Sequence, residues 1–247
     1  MDRDRGIRAF SVATILALLP PAAALAQDAR PAPATRVGTT TVDGDTGLWF
    51  VPTGEVLPAR KWSFGAYRVN FDYKEGFTDV SNWPVTLGVG VGDRAELFGA
   101  WQVLRRIDRD VRPVFTSNPQ AGGPVNEFPF VRQGWSGNPL GDLWLGAKIN
   151  LMAPWRLQPA AIAIRGMIKI PTAKDDEEGV GIGKVDFALD AIVSRELNQR
   201  VELSGFAGFI VRGDPDGIDL TNDVRWGIGA GFPTRTNLRL TAELHGE

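Results

Sequence analysis

The thirty residues from Gly183 to Arg212, GKVDFALDAIVSRELNQRVELSGFAGFIVR, restrict the fold more than any other stretch. Val185, Phe187, Leu189, Ala191 and Val193 alternate with Lys184, Asp186, Ala188, Asp190 and Ser194. After a polar turn at 195–200, Val201, Leu203, Ala207, Phe209 and Val211 share one face, with Glu202, Ser204 and Arg212 on the other. An apolar period of two held over ten or so residues predicts a strand, and one longer than the usual soluble strand of about 5–6 residues. A strand that crosses a bilayer needs roughly 9–11 residues, with one face apolar for lipid and the other free to be polar. Two such strands joined by a short turn predict one hairpin of a transmembrane barrel.

The rest of the chain repeats the device. Strands are predicted at 61–73, 83–92, 94–104, 141–151, 159–170 and 223–232, and from 238 to the end of the chain, in addition to the hairpin. In the first, Tyr67, Val69, Phe71 and Tyr73 are assigned outward and Arg68, Asn70 and Asp72 inward. Long polar connections (74–82, 105–139, 171–183, 213–222) alternate with short ones, as in barrels with short periplasmic turns and longer extracellular loops. The predicted fold is therefore all-β, an antiparallel up-and-down transmembrane β-barrel of about nine to ten strands. The count depends on Gly47–Val51, which Pro52 and Pro58 limit to an edge strand or a hook at the periplasmic rim.

The N-terminus reads as an export signal. Arg3, Arg5 and Arg8 precede the apolar stretch Phe10–Leu19, and Ala24-Leu25-Ala26 forms an A-x-A cleavage site. Residues 1–26 are accordingly assigned as a signal peptide cleaved after Ala26, 27–46 as a flexible leader rich in Pro and Ala at its start, and 47–247 as the barrel. Export without a later apolar run long enough for a helix leaves the periplasm, the outer membrane or the medium, and the barrel pattern selects the bacterial outer membrane.

Composition removes several classes of function. With 27 basic and 29 acidic residues no basic field exists to hold nucleic acid. The absence of cysteine rules out disulfides, thiolate metal sites and cysteine nucleophiles, and His245 is the single histidine. The acidic run Asp175–Glu178 lacks the spacing of a calcium loop, and Gly179–Gly183 precedes a strand instead of opening a helix, so it is no phosphate loop. No cofactor, no metal and no enzymatic activity are expected.

The face opposite the apolar one is the candidate lumen lining. It carries Arg68, Arg94, Lys148, Arg165, Lys169, Lys184, Arg212, Arg225 and Arg239 against Asp72, Glu96, Asp142, Asp186, Asp190, Glu202, Asp223 and Glu243. Near-balance of sign favours a mutually paired interior of a small filled barrel over a wide selective pore. Trp62, Trp83 and Trp155 fall near strand ends, where an interfacial aromatic girdle belongs. Arg105, Arg106, Arg109 and Arg112 suit either lipopolysaccharide headgroups at the outer rim or loop salt bridges with Asp108 and Asp110. Expected partners are outer-membrane lipid, including lipopolysaccharide, and the barrel assembly machinery.

The segments VDGDTGLWFVPTGEVLPARKWSFGAYRVNFDY, FTDVSNWPVTLGVGVGDRAELFGAW and RIDRDVRPVF resemble the N-terminal barrel of a group of bacterial OmpA-family outer-membrane proteins. GDLWLGAKINL is similar to a Gly-Asp…Lys strand of related outer-membrane transport barrels. The resemblance runs from about Thr39 onward and implies a barrel with no catalytic residues. It also implies a following peptidoglycan-binding domain, which these residues do not include, so peptidoglycan is a partner only if such a domain lies further on. The closing sequence Leu-His-Gly-Glu lacks the terminal aromatic of an outer-membrane strand, and truncation is the expectation. The expected function is an envelope role or a narrow passive channel for small solutes. The alternative from the same strands is a secreted soluble β-sandwich or lipocalin-like binding protein. An outer-membrane barrel enzyme would need a cluster at the rim that the sequence does not mark.

Overall fold

The computed structural model describes residues 38–73, 78–109, 140–154, 159–173, 181–215 and 219–247. Ten strands form one antiparallel sheet: β1 Trp62–Ala66, β2 Val69–Tyr73, β3 Thr78–Val91, β4 Ala95–Arg109, β5 Leu143–Met152, β6 Ala161–Ile170, β7 Asp186–Leu197, β8 Val201–Val211, β9 Asp223–Phe232 and β10 Leu240–Gly246. Spatial order follows the chain, β1-β3-β4-β5-β6-β7-β8-β9-β10, with β2 also paired to β3. The sheet curls into a half-barrel, and the described residues contain no helix. Its terminal strands β1 and β10 run in the same direction, since eight antiparallel pairings separate them, and they do not pair with each other.

Alternation produces the curl's two faces. Along β7 the inward Asp186, Ala188, Asp190, Ile192 and Ser194 are buried, while outward Phe187, Leu189 and Val193 are exposed. Leu189 is 61 % exposed and Ile228 of β9 59 %, whereas Lys148 and Arg165 on the inner face are fully buried. Large apolar side chains thus point outward and charged ones inward, the inverse of a water-soluble sheet with one packed face.

The first expected strand and the connection after it are corrected. What reads as one strand over 61–73 is broken at Tyr67 and Arg68 into β1 and β2, and both pair with β3. Pro84 lies at the break: it has no N–H for the ladder, and the register with β4 shifts between Trp83 and Pro84. The Tyr67 amide donates to the Pro84 carbonyl at 2.9 Å. β3 then continues back to Thr78, through residues expected to be loop, and β4 runs on to Arg109. β1 and β2 nevertheless keep one phase, because both pair with β3 in a single uninterrupted register, and the odd-numbered residues of this edge face inward. Val69 is buried, whereas Arg68 and Asn70 are exposed, and the Arg68 guanidinium lies 5.3 Å from the centre of the Trp83 ring. Arg68 therefore does not line the interior.

The leader and the expected rim strand are also redrawn. Residues 40–54 form a hook with bridges Thr40↔Thr46 and Gly47↔Pro52, laid against the inner face instead of joining the sheet edge. Thr41, Asp45, Thr46, Leu48, Val51 and Thr53 are buried in it. The 41–46 part, grouped with the flexible leader on sequence, is fixed because its polar groups find partners on β4, β5 and β6. Gly44 makes the turn possible: its φ is +99°, and a Cβ there would stand 2.8 Å from the Gly99 carbonyl oxygen. The signal peptide, the acidic run at 175–178, the connection at 110–139 and Trp155 lie outside the described residues.

Candidate functional site

Five strands deliver a single row of charges to the middle of the interior. Register places Glu96 of β4 opposite Lys148 of β5, Lys148 opposite Arg165 of β6, and Arg165 opposite Asp190 of β7. Asp190 faces Gly208 of β8, which in turn faces Arg225 of β9. A Cβ on Gly208 would come within 2.1 Å of Asp190 Oδ1, so glycine leaves the gap across which Arg225 Nε approaches that oxygen, at 3.5 Å.

The row contains a conflict that the sheet does not resolve. Lys148 and Arg165 are direct cross-strand neighbours of like charge, and both side chains are fully buried. Such a pair is destabilising by itself. The hook supplies the missing anion. Asp45 Oδ2 lies 3.1 Å from Lys148 Nζ, and Arg165 donates from NH1 to Asp45 Oδ1 at 3.1 Å. Thr41 Oγ1 donates to the same Oδ1. Lys148 also reaches Glu96 Oε1 at 2.8 Å and donates to the Thr46 carbonyl at 2.7 Å. Arg165 completes its fork on Asp190, 2.8 Å from Nε and 2.7 Å from NH2, and on Asp43 at 3.2 Å.

Burial alone would raise the Asp45 carboxyl above the usual carboxylate range, but Lys148 and Arg165 overcome it and hold the group below that range. At Asp43 burial wins and raises the carboxyl, with Arg165 and Arg225 pulling the other way. Two carboxylates separated by one residue thus sit in opposite electrostatic states.

Further layers fill the space below and above. Toward the short turns, Leu48 and Val51 of the hook pack on Ala163, Ile192 and Phe206. Three hook amides, Trp49, Phe50 and Val51, donate to the Glu243 carboxylate at 2.7–2.8 Å. Ser194 accepts from Gly54 N at 2.9 Å, Ser204 donates to the Pro52 carbonyl at 2.6 Å, and Asn150 donates to the Gly54 carbonyl. Arg239 pairs with buried Glu202. Toward the long connections, Phe98, Met167, Ala188 and Ile210 form an apolar layer with Trp144 against it. Above that, Lys169 pairs with Asp186 at 2.6 Å and with Asp142 at 3.8 Å, and Arg212 pairs with Asp223 and Glu247.

Of the residues assigned inward on sequence, Glu96, Asp142, Lys148, Arg165, Lys169, Asp186, Asp190, Glu202, Arg212, Arg225, Arg239 and Glu243 carry these contacts. Lys184 lies half-buried just before β7, beside Gly213, Arg94 is exposed at the turn before β4, and Arg68 is on the outside. Asp43, Asp45, Thr46 and Tyr67 were not foreseen as interior groups. Tyr67 shares a 2.6 Å hydrogen bond with Thr40 Oγ1 and donates to the Thr40 carbonyl at 2.9 Å. Phe50 stacks on His245 at 4.4 Å, and Trp49 meets Tyr67 edge-on at 5.0 Å, so the hook touches groups beside both ends of the sheet.

Residues 86–245 match the model of a family described as "Putative MetA-pathway of phenol degradation". No curated protein and no solved structure matches the chain. The matched span holds β4 to β9 complete, with the end of β3 from Thr86 and most of β10, and includes the charged row from Glu96 to Arg225. It shows this family and not the OmpA family. With well over half of its length matched, the chain belongs to that family, one associated with outer-membrane β-barrel proteins.

Proposed function

We propose that the chain is an outer-membrane β-barrel protein with a structural role in the envelope, its apolar face in lipid and its interior closed by the hook. The observation that carries this is the inversion of the sheet: Phe187, Leu189, Phe209, Val224 and Ile228 are exposed while fully buried Lys148 and Arg165 are ion-paired inside. Soluble monomers rarely expose contiguous apolar patches beyond a few hundred Å², and this one spans successive strands. β3 to β9 have ten to fifteen residues each, enough to cross a bilayer when tilted. Trp62 and Trp83, exposed on β1 and on β3 opposite the β4 bulge, suit interfacial positions.

The interior argues for a closed state over an open channel. Two apolar layers and a charged row between them occupy the space that a solute would use, as in small barrels filled by their own side chains. Passage of a small solute requires the hook to leave. The family description concerns phenol degradation; our reading assigns this chain no catalytic step in it.

Cell fractionation and vesicle swelling test the reading together. The mature chain is expected in the outer-membrane fraction, and vesicles containing it are expected to swell no faster than empty ones in small sugars. Recovery as a soluble periplasmic monomer contradicts the membrane assignment, and rapid swelling contradicts the closed interior.

A further inference from the structure

The hook's Asp45 occupies what is, on the wall of the sheet alone, a carboxylate-binding site. Lys148 and Arg165 stand side by side in register with fully buried side chains. The wall row consists of Glu96, Lys148, Arg165, Asp190 and Arg225, three cations against two anions. Asp43 and Asp45 reverse that sign. The Asp45 carboxylate is held as a bound ligand would be: Lys148 on one oxygen, and Arg165 and the Thr41 hydroxyl on the other. Its two wall contacts bridge the like-charged pair, and Asp45 reaches it from a segment outside the sheet.

We propose that the Lys148–Arg165 pair is a binding site for the carboxylate of a small organic anion, held in the closed state by the chain's own Asp45. The proposal rests on the reading of the hook as an internal closure. An incoming carboxylate replaces Asp45 on the same two cations, so the like-charged pair never stands uncompensated while the hook moves. The neighbouring surface suits a ligand with an apolar body, because the Arg165 and Arg225 guanidinium groups both lie over the Phe206 ring, at 5.6 and 5.7 Å from its centre. A neutral or cationic solute has nothing to offer this pair.

Chemical rescue tests the site. Asp45→Ala in the full chain removes the internal carboxylate, and sodium acetate is the probe, with sodium chloride at equal ionic strength as reference. Acetate is expected to stabilise Asp45→Ala saturably, with about a tenfold gain in the folded-to-unfolded ratio at ten times its dissociation constant. Wild type is expected to gain nothing beyond the chloride effect, and Lys148→Met/Asp45→Ala is expected to lose the rescue. If Asp45→Ala does not fold in chloride, refolding yield is read instead and must rise with acetate. Equal effects of acetate and chloride on Asp45→Ala, or undiminished rescue after Lys148→Met, overturn the proposal. The measurement is made in detergent and does not depend on cellular location. A soluble periplasmic chain that still shows rescue therefore defeats the membrane reading alone, and an outer-membrane chain without rescue defeats this site alone.

Discussion

Lys148 and Arg165 face each other across β5 and β6 with fully buried side chains, and one carboxylate from outside the sheet makes the pairing tolerable. Removing one partner of a buried ion pair usually costs about 3–5 kcal/mol, because the other charge is left uncompensated. Asp45→Asn is therefore expected to lower stability by that order at pH 7, measured by denaturant unfolding of the folded chain in detergent. Asp43→Asn is expected to be close to neutral or stabilising, because burial holds that carboxyl above its usual range, and its side chain is 28 % exposed. The pH dependence has opposite signs at the two residues. Asp45 is held below the ordinary 3.8, so its contribution is present above that value and is lost as pH falls through the lower folded value. Asp43 is raised, so its ionised form costs stability at neutral pH, and that cost disappears as pH falls through its raised folded value. Comparison of each variant with wild type between pH 7 and pH 3 checks both signs. Most of the wall's half of this row was legible from alternation alone, since Glu96, Lys148, Arg165 and Asp190 fall on the non-apolar phase of long strands. Asp43 and Asp45 were not, because a Val-Asp-Gly-Asp turn has no period to say which surface it will meet.

At the scale of elements, the hook and the β4 bulge are the two devices that strand patterning cannot reveal. The hook is short and proline-bounded, and its fit comes from partners far away in the chain: Glu96, Lys148, Arg165, Ser194, Ser204 and Glu243. Gly44→Ala is expected to destabilise by about 1–3 kcal/mol, since a side chain meets both the positive φ and the Gly99 carbonyl; a lowered unfolding midpoint checks it. Glu243→Gln weakens the acceptor for three backbone amides. The expected result is faster hydrogen exchange at residues 49–51, at least tenfold, with exchange in β7 and β8 little changed, because the hook is released locally before the sheet opens. The bulge acts differently. It inserts Val103 into β4 opposite the Trp83/Pro84 step and changes the phase of β4 beyond it, whereas β2 keeps the phase of β1; Arg68, correctly placed in alternation with Val69, lies outside because Tyr67 and Val69 belong to the inward set. Proline in a strand gave the warning, but not the count of residues by which the partner would slip.

For the whole molecule, the expectation of an all-β antiparallel sheet in chain order holds because the long strands keep one period over most of their length, interrupted only by the register shifts in β4 and β5. β9 begins and ends at the expected residues, Asp223 and Phe232. The open arrangement of β1 and β10 did not follow from the pattern, since alternation fixes faces and says nothing about which strands stand at the edges. The membrane reading is carried by the outer face. Leu189→Arg, at mid-height of β7, is expected to cost about 2–4 kcal/mol in lipid vesicles. In a solvated sheet the same exposed position would tolerate arginine within about 0.5 kcal/mol.

Because the chain contains no cysteine, single spin labels can be walked along β7 in a vesicle-reconstituted protein without background. Accessibility to oxygen and to a water-soluble nickel chelate, read at positions 187, 189, 191 and 193 and at 188, 190 and 192, is the most direct measurement. The expected result is high oxygen and low chelate accessibility at the odd positions, and low values of both at the even ones. Odd positions open to the chelate would show that the apolar face meets water, and would contradict the outer-membrane barrel.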